Sequence, residues 1–228
     1  MVRGLLLVFM LASSGAAAVE PLRVAVAANF RATLEQINQA FLAEGGSEIL
    51  LSSASTGVLA TQIRHGAPFD LFFSADQQTV EALAADSLGV ESHCYALGQL
   101  ALVGGELDEL SDPGKTLAIA NPQTAPYGRA ALEVISRPEL ATAASRQPIR
   151  GASVLQTYQF WRAGAVDLAL VASSQAPNAQ LMPADWYQPL RQDLLVLRHS
   201  PATGPYLRWL GSDTVRQMII DAGYLPCP

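Results

Sequence analysis

The chain lacks most of the side-chain patterns on which metal, nucleotide and hydrolytic sites depend. His65, His93 and His199 have no metal-ligand spacing, and neither a G-x-x-x-x-G-K-[ST] phosphate loop nor a G-x-S-x-G elbow is present. Asp70 and Asp76 form no evident pair of catalytic carboxylates, and no histidine lies near the serines around them. These absences predict a protein that is not an enzyme, has no metal-ligating side chains and needs no cofactor.

Positive charge is also scarce. The sequence holds 14 Lys and Arg against 20 Asp and Glu, a formal net charge of −6, and loss of Arg3 with a leader would give −7 (−6 minus 1). An acidic surface repels nucleic acid and anionic membranes, so the sequence predicts neither as a partner. It repels a small anion at long range as well. An anion site in this chain must therefore work through short hydrogen bonds in a closed pocket.

Long apolar runs are missing except at the N-terminus. Arg3 precedes an apolar stretch over residues 4–12, and Ala16-Ala17-Ala18 is typical of a small-residue cleavage site. This pattern predicts a secretory signal peptide over residues 1–18 rather than a membrane-spanning helix, with a mature chain that begins at Val19. No Cys stands at the cleavage point to carry a lipid anchor. We therefore expect a soluble exported protein.

Cysteine is limited to Cys94 and Cys227. In an exported chain, two cysteines favour one disulfide, and this one would hold the C-terminus in place. The alternative is two separate thiols, one of them close to the chain end.

The sequence does contain an alternation of short apolar runs with segments of helical periodicity. Apolar runs over residues 22–28 and 48–52 each precede a helical segment, and the same order starts again at residues 115–120. Alternating strands and helices predict mostly parallel sheets with helices on both faces. The second start of the pattern predicts a second lobe.

The apolar stretches over residues 95–103 and 193–198 are candidates for the crossings between the two lobes. We therefore place residues 19–97 and 196–228 in lobe I and residues 98–195 in lobe II. Ligands of such sheets bind beyond the carboxyl ends of the strands, so the cleft between the lobes is the predicted site.

Four strand-to-helix junctions carry small residues and no lysine, and only Arg31 and Arg129 lie close to them. Helices that begin there would direct free backbone N–H groups and positive dipole ends beyond the sheets, which suits a small anion without a cationic side chain. The junctions are Val24-Ala25-Val26-Ala27-Ala28-Asn29, Leu50-Leu51-Ser52-Ser53-Ala54-Ser55-Thr56-Gly57, Leu117-Ala118-Ile119-Ala120-Asn121 with Pro126-Tyr127-Gly128, and Gly151-Ala152-Ser153-Val154.

Several junction residues are candidate ligand donors, each with a plain structural alternative. The Asn29 amide could donate to an anion or cap a helix. Ser55 and Thr56 offer hydroxyl groups beside consecutive N–H groups, or they form an ordinary Ser/Thr-rich turn. The Tyr127 phenol is a neutral donor at pH 7 or a packing side chain, and Val154 offers its backbone N–H.

Four segments carry the most specific motifs: Val24-Ala25-Val26-Ala27-Ala28-Asn29-Phe30, Ser55-Thr56-Gly57, Gly66-Ala67-Pro68-Phe69-Asp70-Leu71-Phe72-Phe73-Ser74-Ala75-Asp76, and Asn121-Pro122-Gln123-Thr124-Ala125-Pro126-Tyr127-Gly128. With them the chain resembles the periplasmic molybdate-binding proteins of ABC importers, over nearly all of its mature length. It is similar to a subgroup with Asn in the first loop and Tyr in an Ala-Pro-Tyr-Gly loop. Many other members have Ser at the position of Asn29 and a ligand Tyr at the position of Ala172.

The resemblance implies a type II periplasmic binding protein fold, α/β with two mixed, mostly parallel sheets and the ligand cleft between the lobes. It implies capture of molybdate or tungstate by hydrogen bonds alone and delivery to an ABC permease in the inner membrane, and we expect a monomer. A binding protein for another small oxyanion such as sulfate or phosphate, and an enzyme on the same frame, are the alternatives. The implied ligand residues are Ala28, Asn29, Ser55, Thr56, Tyr127 and Val154.

Overall fold

The computed structural model describes residues 20–143 and 146–228, which form two β-sheets flanked by helices. The predicted signal peptide over residues 1–18 and the predicted mature start at Val19 lie outside the described residues. The first sheet contains β1 (Leu22–Ala27), β2 (Ile49–Ala54), β3 (Leu71–Phe73), β4 (Glu91–Gly98) and β10 (Leu190–Val196). The second contains β5 (Leu100–Val103), β6 (Leu117–Ala120), β7 (Ile149–Gly151), β8 (Leu168–Ala172) and β9 (Gln180–Leu181).

The helices of the described residues are α1 (Arg31–Ala43), α2 (Thr56–Arg64), α3 (Gln77–Ala85), α4 (Pro126–Ile135), α5 (Val154–Arg162), α6 (Thr203–Leu210) and α7 (Asp213–Asp221). Among them, α6 has no counterpart in the sequence analysis. Its first turn contains Gly204, a poor helix former, and Pro205, which is tolerated there because first-turn N–H groups have no helical partner; Tyr206, which is fully buried, packs the helix into the first lobe. None of these helices is both long and apolar enough to cross a membrane.

Both sheets have a parallel centre and antiparallel additions. In the first sheet, with strand order β2-β1-β3-β10-β4, β1 pairs in parallel with β2 and β3, whereas β10 is antiparallel to β3 and β4. In the second, with order β7-β6-β8-β5-β9, β6 is parallel to β7 and β8, and β5 is antiparallel to β8 and β9. The predicted fold class, α/β with two lobes and mixed sheets, is confirmed.

The chain crosses between the two sheets at positions that differ in part from the lobe boundaries predicted from the sequence. β4 ends at Gly98, and β10 spans residues 190–196 of the first sheet, although the sequence places residues 98–195 in lobe II. The sequence pattern misses the start of this strand because Arg191 and Gln192, which precede the run over residues 193–198, are polar. Residues 98 and 190–195 therefore pair within the first sheet, which corrects that boundary.

Alternating side chains of β1 divide the core of the first lobe into two layers. Val24 and Val26 pack with Leu34 of α1 and with residues of α6 and α7, whereas Ala25 packs with Leu59 of α2 and with α3 on the other face. The second sheet buries one cluster shared with α4 and α5. The helices that follow β2, β6 and β7 begin at the carboxyl ends of these strands, on the side where the two lobes meet.

Cys94 and Cys227 form a disulfide in the structure, with their Cα atoms 6.1 Å apart, as the sequence favours. Beside it, the backbones of Leu97 and Leu225 exchange two hydrogen bonds of 2.8 and 2.9 Å. The C-terminal segment is therefore attached to the edge strand β4 by a covalent bond and by backbone pairing.

Candidate functional site

A small cavity lies between the two lobes. The ends of β1 and β2 and the first residues of α2 form its first-lobe wall, and the first residues of α4 and α5 form the other. The structure brings all six sequence-predicted residues to this cavity. The lining residues are Ala27, Ala28, Asn29, Ser55, Thr56, Ala75, Ala125, Pro126, Tyr127 and Val154.

Ser55 and Thr56 occupy the start of α2. Ser55 precedes the helix in an extended conformation, but its side chain does not cap it, and Ser55 Oγ is buried without a hydrogen-bond partner in the described chain. Thr56 Oγ1 accepts a 3.0 Å hydrogen bond from the N–H of Ala75, so its own hydrogen stays available. Buried hydroxyl groups are normally paired, so Ser55 Oγ is available to donate a hydrogen bond to a ligand in the cavity.

The loop after β1 corrects two expectations about donors. The N–H of Ala28 extends the parallel ladder and donates to Ala54 O at 3.0 Å, so it is not free for a ligand. The side-chain amide of Asn29 neither caps α1 nor points to open space, because its Nδ2 donates to Gln192 Oε1 at 2.8 Å and to Tyr224 Oη at 3.2 Å. The backbone N–H of Asn29, by contrast, has no acceptor among residues 20–143 and 146–228.

Tyr127 provides a neutral hydroxyl from the second lobe. Pro126 occupies the first turn of α4, where its missing N–H costs no hydrogen bond, and Tyr127 follows with a side chain that is 2% exposed. Burial raises the pKa of its phenol well above the usual range, and nearby Tyr224 raises it further. Tyr127 Oη accepts from Gln192 Nε2 at 3.2 Å, so the phenol is uncharged and retains its own hydrogen for donation.

Val154 begins α5 and offers its backbone only. Ser153 caps this helix by accepting a 3.3 Å hydrogen bond from the N–H of Gln156. Within the described chain, the N–H groups of Val154, Tyr127 and Thr56 have no acceptor, as expected at the first turns of three helices. The three positive dipole ends, each roughly half an elementary charge, therefore meet at one cavity that no charged side chain lines.

Direct contacts between the lobes surround the cavity. The N–H of Gly57 donates to Thr124 O at 2.8 Å, and the hydroxyl of Ser174 donates to Asn29 O at 3.3 Å. Arg129 of α4 forms an ion pair with Asp76, the residue that caps α3. The structure is therefore a closed arrangement of the two lobes.

The other candidate acids serve structural purposes. Asp70 accepts from the N–H of Arg23 at 2.7 Å and pairs with Arg198 at 2.5 Å, and Asp76 accepts from the N–H of Thr79 at 2.9 Å. In the described part of the chain, no three His, Cys, Asp or Glu residues lie close enough together to hold a metal ion. The arrangement offers donors to an anion and no group placed for acid–base or nucleophilic chemistry.

Residues 22–225 match the family described as bacterial extracellular solute-binding protein. The chain belongs to this family. It is 34% identical over 230 residues to the molybdate-binding protein ModA of Azotobacter vinelandii, a match that covers 92% of this chain and 91% of that protein. It is also 31% identical to the molybdate-binding protein ModA of Rhodobacter capsulatus, with 88% and 86% covered. The chain is accordingly a solute-binding protein and not an enzyme.

Solved structures support the same assignment. The periplasmic molybdate-binding protein of Azotobacter vinelandii superposes with a TM-score of 0.83 at 30% identity, covering 91% of this chain and 100% of that one. The sulfate-binding protein SubI of Mycobacterium tuberculosis gives a TM-score of 0.74 at 12% identity, with 90% and 86% covered, and shares the fold. The similarity to solute-binding proteins therefore extends over both lobes of the described chain.

Sequence reasoning missed the residues that support the site from behind. Gln192 forms hydrogen bonds with Asn29 and Tyr127, Tyr224 does so with Asn29, and Tyr95 does so with Gln192, although these partners lie far apart in sequence. For Gln192, the only signal in the sequence is an amide between Arg191 and Asp193, next to the apolar residues 194–196, and this pattern does not by itself predict a buried side chain. For Tyr95 and Tyr224, residue type and neighbours give no such signal.

Proposed function

We propose that this protein captures molybdate or tungstate outside the cytoplasm and delivers it to an ABC importer. The ligand is the one named for its relatives from Azotobacter vinelandii and Rhodobacter capsulatus. The observation that carries the proposal is the buried, unpaired hydroxyl of Ser55 in a cavity lined by free N–H groups and by no charged side chain. A tetrahedral oxyanion supplies the acceptors that these donors lack.

The proposed donor set comes from both lobes. Lobe I contributes the N–H of Asn29, the hydroxyl of Ser55 and the hydroxyl and N–H of Thr56, and lobe II contributes the phenol of Tyr127 and the N–H of Val154. Ala28 shapes the wall without donating. This set matches the subgroup with Asn in the first loop and Tyr in an Ala-Pro-Tyr-Gly loop, to which we assign the chain.

Ligand binding and lobe closure are then one event. A dianion that enters the cleft loses its hydration, and only fixed donors on both walls replace the lost hydrogen bonds. Each charge-assisted hydrogen bond contributes about 1.5–3 kcal/mol, so several of them outweigh the cost of bringing the lobes together. Binding therefore shifts the population toward the closed form, which the membrane permease recognises.

Selectivity follows from the size of the cavity and the chemistry of its donors. Sulfate has shorter bonds than molybdate, so its oxygens cannot reach donors on both walls at once. Phosphate near neutral pH carries a proton, and a site built only of donors leaves that proton without an acceptor. Molybdate and tungstate, which are nearly equal in size and fully deprotonated at pH 7, fit both conditions.

The proposal includes export from the cytoplasm and function as a monomer. The pattern of Arg3, the apolar run over residues 4–12 and Ala16-Ala17-Ala18 supports a cleaved signal peptide and a periplasmic location. The donor set is complete within one chain, which supports a monomer.

Titration calorimetry of the purified mature protein with molybdate, tungstate, sulfate and phosphate tests the proposal. We expect tight binding of molybdate and tungstate, with sulfate and phosphate weaker by at least about 100-fold, because sulfate loses hydrogen bonds to one wall and phosphate buries a proton that has no acceptor. Sulfate or phosphate binding as tightly as molybdate would exclude the proposed selectivity. Binding of none of the four anions would reject the function.

A further inference from the structure

Gln192 connects the two walls of the cavity from behind. It lies in β10 of the first sheet and its side chain is fully buried, yet its amide reaches a residue of each lobe. Its Oε1 accepts from Asn29 Nδ2 at 2.8 Å, and its Nε2 donates to Tyr127 Oη at 3.2 Å. The hydroxyl of Tyr95 lies 2.8 Å from Gln192 Oε1 and 3.0 Å from Ser74 O, and its single hydrogen serves only one of these acceptors at a time. Because Gln192 does not line the cavity, any effect on a ligand must pass through Asn29 or Tyr127.

The direction of these hydrogen bonds is fixed by a backbone carbonyl, which can only accept. The hydroxyl of Tyr224 donates its single hydrogen to Asn29 O at 2.8 Å. Its oxygen must therefore accept from the side chain of Asn29, which fixes the position of the Asn29 NH₂ group. The same NH₂ group meets Gln192, so Gln192 presents its carbonyl there and its own NH₂ group to Tyr127.

Gly98 makes this approach of the lobes possible. A Cβ atom at position 98 would lie 2.2 Å from Tyr127 Oη and 2.3 Å from Gln192 Nε2, so any side chain would separate the two groups. Gly98 ends β4, at the point where the chain leaves the first sheet for the second. The hydrogen bond between Gln192 Nε2 and Tyr127 Oη therefore passes beside Gly98, where a side chain would block it.

We propose that Gln192 is a positioning residue that makes Tyr127 a donor-only group. A free phenol both donates and accepts. Here the Nε2 of Gln192 occupies the accepting side of Tyr127 Oη, so the phenol hydrogen is left for the ligand. The inference deepens the proposed function and rests on it, because it adds a residue that enforces the preference for fully deprotonated oxyanions over protonated ones such as hydrogen phosphate.

Replacing Gln192 by Glu tests the proposal with nearly unchanged shape. An ionised carboxylate accepts the Tyr127 hydrogen and adds negative charge behind the site, so molybdate affinity falls by about 100-fold. When the carboxyl is protonated, its O–H replaces the amide N–H as donor to Tyr127. The affinity of Gln192→Glu relative to wild type at the same pH therefore recovers as pH is lowered from about 9 to about 5. Gln180→Glu, the same change on the exposed strand β9, is the matched control and leaves affinity unchanged.

Gln192→Leu supplies a second, uncharged test. It frees the accepting side of Tyr127, so molybdate affinity falls by about tenfold without a new pH dependence, and discrimination against phosphate decreases. In a Tyr127→Phe background, the same substitution has little further effect on molybdate binding because the group that it positions is gone. This double-mutant cycle of Gln192→Leu and Tyr127→Phe tests whether Gln192 acts through Tyr127, even if Gln192→Glu does not fold.

Two results overturn the inference while leaving the proposed function in place. Both require that the wild type binds molybdate. In the first, Gln192→Glu binds molybdate as well as the wild type at about pH 9, or it loses affinity to the same extent at every pH, as Gln192→Leu does. The other is additive effects of Gln192→Leu and Tyr127→Phe. A wild type that does not bind molybdate or tungstate would instead reject the proposed function itself.

Discussion

Arg129 and Asp76 form an ion pair that joins the second lobe to the first beside the cavity. Asp76 is nearly buried and also caps α3, whereas the side chain of Arg129 is 40% exposed. The pair thus serves two purposes: it holds the lobes together, and it neutralises the carboxylate closest in sequence to Ala75, a residue of the cavity wall.

Arg129→Gln should weaken molybdate binding by about two- to fivefold, because a partly exposed ion pair contributes at most about 1 kcal/mol. The uncompensated charge of Asp76 also opposes a dianion nearby. Calorimetry at low and high salt measures the effect, which should shrink as salt screens the charges. Arg31→Gln, which removes an exposed pair with Glu35 within α1, is the control. Equal affinities of the two variants would contradict a role of the Arg129–Asp76 pair in closure.

Ser55→Ala should lower the ligand affinity without lowering the ligand-free stability. Without a ligand, the substitution removes a buried hydroxyl that has no partner, so the free energy of unfolding is unchanged or slightly increased. With molybdate, it removes a charge-assisted hydrogen bond worth about 1.5–3 kcal/mol, so affinity falls by roughly 10- to 100-fold. Thermal unfolding with and without molybdate reports both effects, and exposed Ser52→Ala should change neither. A Ser55→Ala variant that is destabilised without ligand and binds normally would show that the hydroxyl is structural.

Tyr127 should make binding independent of pH across the neutral and mildly alkaline range. The neutral phenol is the donor, and burial raises its pKa well above the usual range, so the donor persists as pH rises and is lost only above that raised pKa. We expect the affinity for molybdate to stay constant from about pH 7 to about pH 9.5. Tyr127→Phe should lower affinity at every pH by about 1–3 kcal/mol. A wild-type affinity that falls between pH 8 and 9 would show that the phenol ionises early.

The Cys94–Cys227 disulfide should matter for stability and little for affinity. It closes a loop with a sequence separation of 133 residues, so removing it by the double change to Ser should lower the free energy of unfolding by about 2–5 kcal/mol. The backbone bonds between Leu97 and Leu225 still hold the C-terminal segment, so Tyr224 stays near Asn29. Chemical denaturation with and without a reductant measures the stability, and calorimetry measures the affinity. A large loss of affinity would mean that the disulfide itself positions the site.

Much of the fold was predictable because local patterns determine it. The segments before Asn29, Ser55 and Val154 are predicted as strands, and helices begin at the small polar residues after them, although only Ser153 caps its helix with its side chain. The convergence of these junctions at one cavity follows from the rule that parallel strands present their carboxyl ends at one edge.

The details that were missed depend on contacts between distant residues. The N–H of Ala28 is paired because β2 extends the ladder as far as Ala54, and the amide of Asn29 is paired because Gln192 lies beside it, 163 positions away in sequence. The strand boundary before Gln192 was missed because Arg191 and Gln192, which precede the apolar run, are polar. A sequence therefore indicates which donors meet, whereas only the structure shows which of them are already paired.

A crystal structure of the protein grown with tungstate, whose heavy atom gives an unambiguous anomalous signal, tests the central claim most directly. The account predicts one tungsten peak in the cavity, with oxygens that accept from Ser55 Oγ, Tyr127 Oη and the N–H groups of Asn29, Thr56 and Val154. An empty cavity with the tungstate bound elsewhere, or an anion held by arginine side chains, would contradict it.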